Sequence, residues 1–282
     1  AYALDALGDA IRLLPRHSEI NIWKQTVASL RNSLLNQFWD ETRSTFSPAI
    51  FERNGQLEKL DTDMITVAWI LNASFWDDMP ETQRQQRIEA IVRRIFSDDF
   101  MTEFGVRSKS LSTHQPLGEA IDYHGSQTIW PMFNFMVIEG LRRHGLYQLA
   151  RQIEFRLINT INALGNFPEF FIVDHEAKLY RPDSHAKQAK SGQMIPEQDI
   201  SFTVVPMITL AYRHSYPRHM PATSGWQFQL EADLLAKVPK VDLLGPAVAK
   251  TEVSAQTLKI KRTKAGLRSA LHIAPVILGR NG

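Results

Sequence analysis

Three short segments concentrate the residues able to do chemistry: "FGVRSKS" (104–110), "DYHGSQTIWP" (122–131) and "GNFPEFF" (165–171). The second is the most unusual. It places Asp122, Tyr123, His124, Ser126, Gln127, Thr128 and Trp130 within nine residues, directly ahead of a helical pattern. A core segment avoids so many polar groups, and a plain surface loop does not need so many rings. Sugar rings present an apolar C–H face and a hydroxylated edge, and an aromatic face beside Asp, His, Gln or Ser matches both. The plainer alternative makes Trp130 a core residue at the helix start and His124 a capping group. In the first segment, Arg107 offers a planar, permanently charged fork that can pair a carboxylate or clamp hydroxyls. A surface salt bridge is its ordinary alternative. In the third, Glu169 follows Pro168 and lies between Phe167 and the Phe170–Phe171 pair. A carboxylate among rings loses water, the circumstance in which such groups take up acid/base work. The alternative leaves Glu169 exposed and buries only the aromatics.

Other chemistries find less support. The nine histidines are scattered, and His114, His124, His175 and His185 show no i, i+4 pairing of the metal-binding kind. We therefore expect no metal and no organic cofactor. No nucleophile-elbow sequence supports a Ser-His-Asp site. The chain has no cysteine, which excludes disulfides, thiolate zinc ligands and thiol catalysis. A reducing compartment fits, and a cytoplasmic location is the expectation.

The elements that must position these segments are helical. The 282 residues are 44% hydrophobic and 22% charged, ordinary for a globular chain with room for a large core. A net charge of +2 gives no strong field, so no nucleic-acid partner is expected. No apolar run approaches the ~20 residues that span a bilayer, so no membrane association is expected. The opening "AYALDALGDAIRLL" carries acidic residues and no basic leader, and reads as a helix rather than a signal peptide. Ser18 is placed to cap a second helix, with Trp23, Val27, Leu30, Leu34 and Phe38 in one apolar stripe. Residues 38–56 read as turn-rich and partly extended, with a tight turn at Asn54-Gly55. "DTDMITVAWILNASFW" predicts a third, buried helix with anions at its positive end. A fourth, surface-facing helix starts at Pro80. A fifth starts at Trp130-Pro131 and ends at Gly145, a sixth runs from Leu146 to Leu164, and a seventh over 200–214 is interrupted or kinked by Pro206. Long polar loops separate these helices at about 97–125 and before 199, and recurring long loops at one end of a helical array imply one functional face. Residues 237–282 change character. Lys and Arg outnumber Asp and Glu there, as in a basic tail or small appendage. The domain boundary is therefore placed between 1–236 and 237–282.

Taken together, the segments resemble glycogen-debranching-type α-glucosidases. "GVRSKS" (105–110) is similar to that family's G-[LVM]-R-[TS]-x-S segment, "YHGSQTIWP" (123–131) to its Y-H-x-G-x-x-W-P helix start, and "GNFPEFF" to its G-x-x-P-E-[LF] segment. "PEQDISFTVVPMITL" (196–210) sits where the family has a Q-A-W-S helix start, and "LLNQFWDETRSTF" (34–46) is similar to its F-W-x-E-x-x-x-[FY] segment. The order matches, over roughly residues 1 to 215.

The resemblance implies an all-α fold, an (α/α)6 toroid with a pocket at one end, and an inverting two-carboxylate hydrolysis of an α-linked glucoside or small saccharide. It carries the role of general base over to Glu169, and implies substrate contacts at Arg107, Tyr123, His124, Trp130 and Gln198. Inverting glycosidases hold their carboxyls ~6.5–9.5 Å apart to admit the attacking water. The chain departs from the pattern at Gln198, which is followed by Asp199, Ile200 and Ser201 with no aromatic, and in the spacing between Tyr123-His124 and Trp130-Pro131. The family's acid is an aspartate upstream of the helix that opens this chain. About seven helices are read here against the twelve of a full toroid. The expectation is therefore the C-terminal part of a longer enzyme, whose partners are a carbohydrate substrate and an N-terminal half of the same protein or another chain. Asp122, at the start of the second segment, is the in-chain candidate acid, on proximity. The rival readings are a non-catalytic carbohydrate-binding or scaffold fragment, and an α-helical interaction module whose matches are chance.

Overall fold

A computed structural model describes residues 2–112, 122–173, 179–180, 196–215 and 225–238. Within them the chain is mainly helical, with α-helices α1 (Tyr2–Leu13), α2 (Ile20–Ser33), α3 (Glu81–Ile95), α4 (Pro131–Arg143), α5 (Tyr147–Leu164), α6 (Ser201–Ser215) and α7 (Gly225–Leu235). It is not purely helical. Short antiparallel strands fill the connections: β1 (Trp39–Asp40) with β2 (Thr45–Phe46), β3 (Ile50–Arg53) with β4 (Gln56–Lys59), β5 (Met101–Thr102) with β6 (Gly105–Val106), and a three-stranded sheet of β7 (Thr128–Ile129), β8 (Phe171–Val173) and β9 (Leu179–Tyr180). The proposed tail beyond residue 238 lies outside the described residues.

The α2 cap differs from expectation. Ser18 does not cap: Glu19 is the N-cap residue without a side-chain bond, and its N–H donates to His17 Nδ1 at 3.2 Å. His17 in turn stacks on Trp23 at 4.5 Å. The α2 stripe is present, but no residue of the helix is buried, and a single π-helical turn (Leu34–Phe38) carries the chain into β1. Asn54 (φ 53°) and Gly55 (φ 77°) form the tight turn of the β3–β4 hairpin. Positive φ at both central residues matches the twist of antiparallel strands.

The expected third helix is buried but is not an α-helix. It consists of 3₁₀ segments, Ile65–Asn72 and Ser74–Trp76. The acidic residues ahead of it do not cap it. Asp63 instead pairs with Arg94 at 2.7 Å and Arg43 at 3.5 Å. The reason is packing. Gly140 brings α4 so close to this segment that a Cβ there would lie 2.6 Å from Leu71 Cβ. The slimmer 3₁₀ winding fits a segment buried on several sides. Helix α3 is amphipathic rather than merely surface-facing, since Ile88, Ile91, Val92 and Ile95 enter the core and Arg87 lies over the Trp39 ring at 4.6 Å.

Helix α5 ends at Gly165, whose φ of 75° is the left-handed conformation that closes a helix. Helix α6 continues through Pro206. Helix α7 was not anticipated. Its Leu230 and Leu234 are buried, and its Glu231 accepts the N–H groups of Gln148 and Leu149 at 2.7 and 3.3 Å, an anion on the N-terminus of α5. Two faces stay apolar and exposed: Phe202, Val205, Ile208 and Tyr212 along α6, and Leu13, Leu14, Ile22 and Leu30 around α1 and α2. Among the described residues no helix is long and apolar enough to cross a membrane.

Candidate functional site

The sheet β7–β8 assembles the site. Thr128 pairs with Ile172 and Ile129 with Phe171, so the 122–130 loop and the 165–171 segment lie side by side. The 104–110 segment joins from beneath. Ser108 N–H donates to Thr128 O at 2.8 Å, and the Ser108 and Thr128 hydroxyls meet at 3.1 Å. The three segments singled out in the sequence are thus neighbours.

Their residues divide by depth. Arg107 is only 1% exposed, and its Nη1 donates to the carbonyls of Ser126 at 2.7 Å and Val173 at 3.3 Å. It ties the two loops together from inside. Its side chain is buried rather than placed on the rim or the surface. Trp130 is also buried, with its indole N–H donating to Tyr123 O at 3.0 Å. It packs face to face with Phe170 at 5.2 Å and Phe133 at 5.0 Å. Trp130 is thus a core residue at the helix start, the plainer of the two alternatives, with Phe133 and Phe170 stacked on its ring.

Tyr123 stands edge-on to Trp130 at 4.7 Å and to Phe170 at 5.5 Å. Its hydroxyl donates to Glu169 Oε1 in a short hydrogen bond. The phenol is pushed up to about 12, first by burial, then by the bond to Glu169 and the charges of Glu169 and Glu197. Glu169 is 9% exposed. Its N–H donates to Glu197 O at 2.8 Å, and the buried Thr203 hydroxyl donates to Pro168 O at 2.7 Å and reaches Glu169 O at 3.4 Å. Its Oε2 has no hydrogen-bond partner among the described residues.

His124 packs beside the Trp130–Phe133 pair, 4.9 Å from the first ring and 5.3 Å from the second. Burial pushes its imidazole below the ordinary 6.5, Asp122 and Glu169 pull it up, and Lys109 pushes it down. The neutral ring therefore prevails near neutrality, and its buried Nδ1 has no partner among the described residues. Asp122 accepts from the His124 N–H at 3.2 Å and pairs with Lys109 at 2.9 Å. That is the geometry of a turn-former with a counter-ion. Gln198 is bound to its own loop, accepting from Asn166 at 2.5 Å and donating to Pro196 O at 3.0 Å. Sequence reasoning missed Thr203, Phe133 and Lys109 as parts of this arrangement, and only the helical spacing of Trp130 and Phe133 hinted at one of them. Among the described residues no group of three or more His, Asp or Glu side chains is placed to hold a metal.

Chemically, the arrangement is a carboxylate anchored through one oxygen at the edge of a ring cluster, with a neutral imidazole beside it. No family model matches the chain, and no curated protein matches it. Among solved structures, neutral trehalase from Saccharomyces cerevisiae aligns over 78% of this chain with 12% identity and a TM-score of 0.45. The chain spans 33% of that trehalase's length. Likeness at that level fixes neither family nor activity.

Proposed function

We propose that the chain is part of an inverting glycoside hydrolase acting on an α-linked glucoside or small saccharide, with Glu169 as general base. The observation that carries this reading is the Glu169 carboxylate, held by Tyr123 at the edge of the Trp130–Phe133–Phe170 ring cluster. In the proposed step, water attacks the anomeric carbon while Glu169 Oε2 takes its proton. The glycosidic C–O bond breaks, and the leaving oxygen takes a proton from a carboxylic acid. We assign that acid to a residue outside the described ones, because Asp122 is engaged by Lys109 and its own turn. His124, half-buried beside Tyr123, is the proposed partner for a sugar hydroxyl. The fold in this reading is an arc of an (α/α)6 toroid. Packing of α4 on both the 3₁₀ segment and α6, with exposed apolar faces at α1–α2 and α6, supports it.

The test is Glu169→Gln in the full natural protein, assayed on a panel of α-glucosides. Gln keeps the size and can still accept from Tyr123, but cannot take the proton. Turnover should fall about 10²- to 10⁴-fold, with sugar binding little changed. Near-wild-type kcat would remove Glu169 from the mechanism. The engagement of Asp122 also favours a second reading, a non-catalytic sugar-binding part. It predicts sugar-dependent thermal stabilisation, which follows from binding the native state alone, with no turnover in the wild-type protein.

A further inference from the structure

The sequence reading makes Tyr123 a sugar contact. The geometry gives it another task. Its ring is clamped by Trp130, Phe170 and His124 at centroid distances of 4.7, 5.5 and 4.7 Å. Its backbone carbonyl is also held, accepting from the Trp130 indole at 3.0 Å and the Thr128 hydroxyl at 3.2 Å. With ring and backbone fixed, the hydroxyl has one position, and there it meets Glu169 Oε1.

We infer that Tyr123 is a positioning residue for Glu169: its hydroxyl fixes the rotation of the carboxylate and leaves Oε2 as the oxygen that takes the proton. This rests on the reading of Glu169 as general base. A carboxylate on a flexible side chain otherwise rotates about its last torsion, which is broad. A base that must meet a water in one orientation gains rate from losing that freedom. Around Glu169 stand Tyr123 from the 122–130 loop, His124, whose imidazole feels the Glu169 charge, and Glu197 from the segment preceding α6, whose carbonyl accepts the Glu169 N–H and whose charge reaches Tyr123. Of these, only Tyr123 is hydrogen-bonded to the carboxylate through the side chain. Because the phenol loses its proton only at about 12, it remains a donor throughout the range in which Glu169 would work.

Tyr123→Phe keeps the ring and its packing and removes only the donor. In the full natural protein we expect kcat to fall about 10- to 100-fold, the range for losing a hydrogen bond to a charged group, while KM moves less than about twofold. A merely structural tyrosine would move the melting temperature and leave that split absent. A raised KM at unchanged kcat would make Tyr123 a sugar contact and overturn the inference. A second measurement needs no turnover. With ¹³C at tyrosine Cζ, the Tyr123 resonance, assigned by its loss in Tyr123→Phe, should shift in Glu169→Gln, and an unmoved resonance would mean that the pair is not formed. The two ideas fail separately. Normal turnover in Glu169→Gln with a shifted resonance sinks the general-base reading and this role with it. An inactive Glu169→Gln beside an unaffected Tyr123→Phe sinks this role alone.

Discussion

Gly140 lies in α4 where that helix crosses the 3₁₀ segment, and its replacement by alanine tests the closeness of that crossing. A methyl at Gly140 would stand 2.6 Å from Leu71 Cβ and 3.2 Å from both Asn72 N and Leu71 C. Carbon atoms in comfortable contact are about 3.5–4.0 Å apart, so the two elements would have to separate by roughly 1 Å. The obstructing atoms are backbone and a Cβ, which no rotamer change can move aside. Overpacking typically costs about 1–3 kcal/mol, and this site belongs at the upper end. Against it stands the intrinsic preference for Ala over Gly in a helix, about 1 kcal/mol. The net is a loss of about 2 kcal/mol. For a domain of this size that lowers the melting temperature by about 4–8 °C. Urea unfolding followed by circular dichroism gives the value directly, with an unchanged slope if the unfolded state is unaffected. A Gly140→Ala protein as stable as wild type, or more so, would show that helix propensity wins and that the crossing is looser than described.

His144 Nε2 lies 2.8 Å from Leu71 O, and burial pushes the imidazole down to about 4. The folded value lies below the ordinary 6.5, so its contribution is complete above pH 6.5 and is lost as pH falls toward 4, up to about 3 kcal/mol at ~1.4 kcal/mol per unit. His144→Gln should therefore lose less stability than wild type between pH 7 and 4.5 in paired urea titrations, and parallel losses would refute the assignment. Thr203→Val keeps the shape of a fully buried side chain but removes the donor to Pro168 O. It should cost about 1–3 kcal/mol, and an unchanged melting temperature would show that the hydroxyl does not hold the Glu169 segment.

Periodicity made most of the helices legible, because α4 and α5 each bury one face and begin or end at Pro131, Gly145 and Gly165. It failed at 65–76, where an apolar run looks the same whether wound as α or 3₁₀, and where the close neighbour, Gly140 of α4, comes from another part of the chain. Helix α7 escaped because part of its anchoring is a buried Glu231 on the end of α5, which local pattern reads as a surface residue. At the site, the three segments were visible as compositions, and their adjacency is real. The direction of each side chain was not visible. Arg107 turns inward to backbone carbonyls, a task no residue type announces, and Tyr123 finds Glu169 only because Ile129 of β7 and Phe171 of β8 pair from distant parts of the sequence.

That strand pairing also sets an order of events in time. Helices α4 and α5 are joined by a turn at 144–146 and can dock as soon as both have formed. The β7–β8 contact closes a far longer loop, and the chain entropy of closing it is lost before its few hydrogen bonds are gained. The Tyr123–Glu169 pair depends on that contact, so this pair would be completed only after the helical scaffold stands. The same asymmetry operates in reverse, since a contact this small can part in a local opening that leaves the helices untouched. The protein would then pass through states that are folded by every helical measure and yet leave the Glu169 carboxylate without its Tyr123 partner.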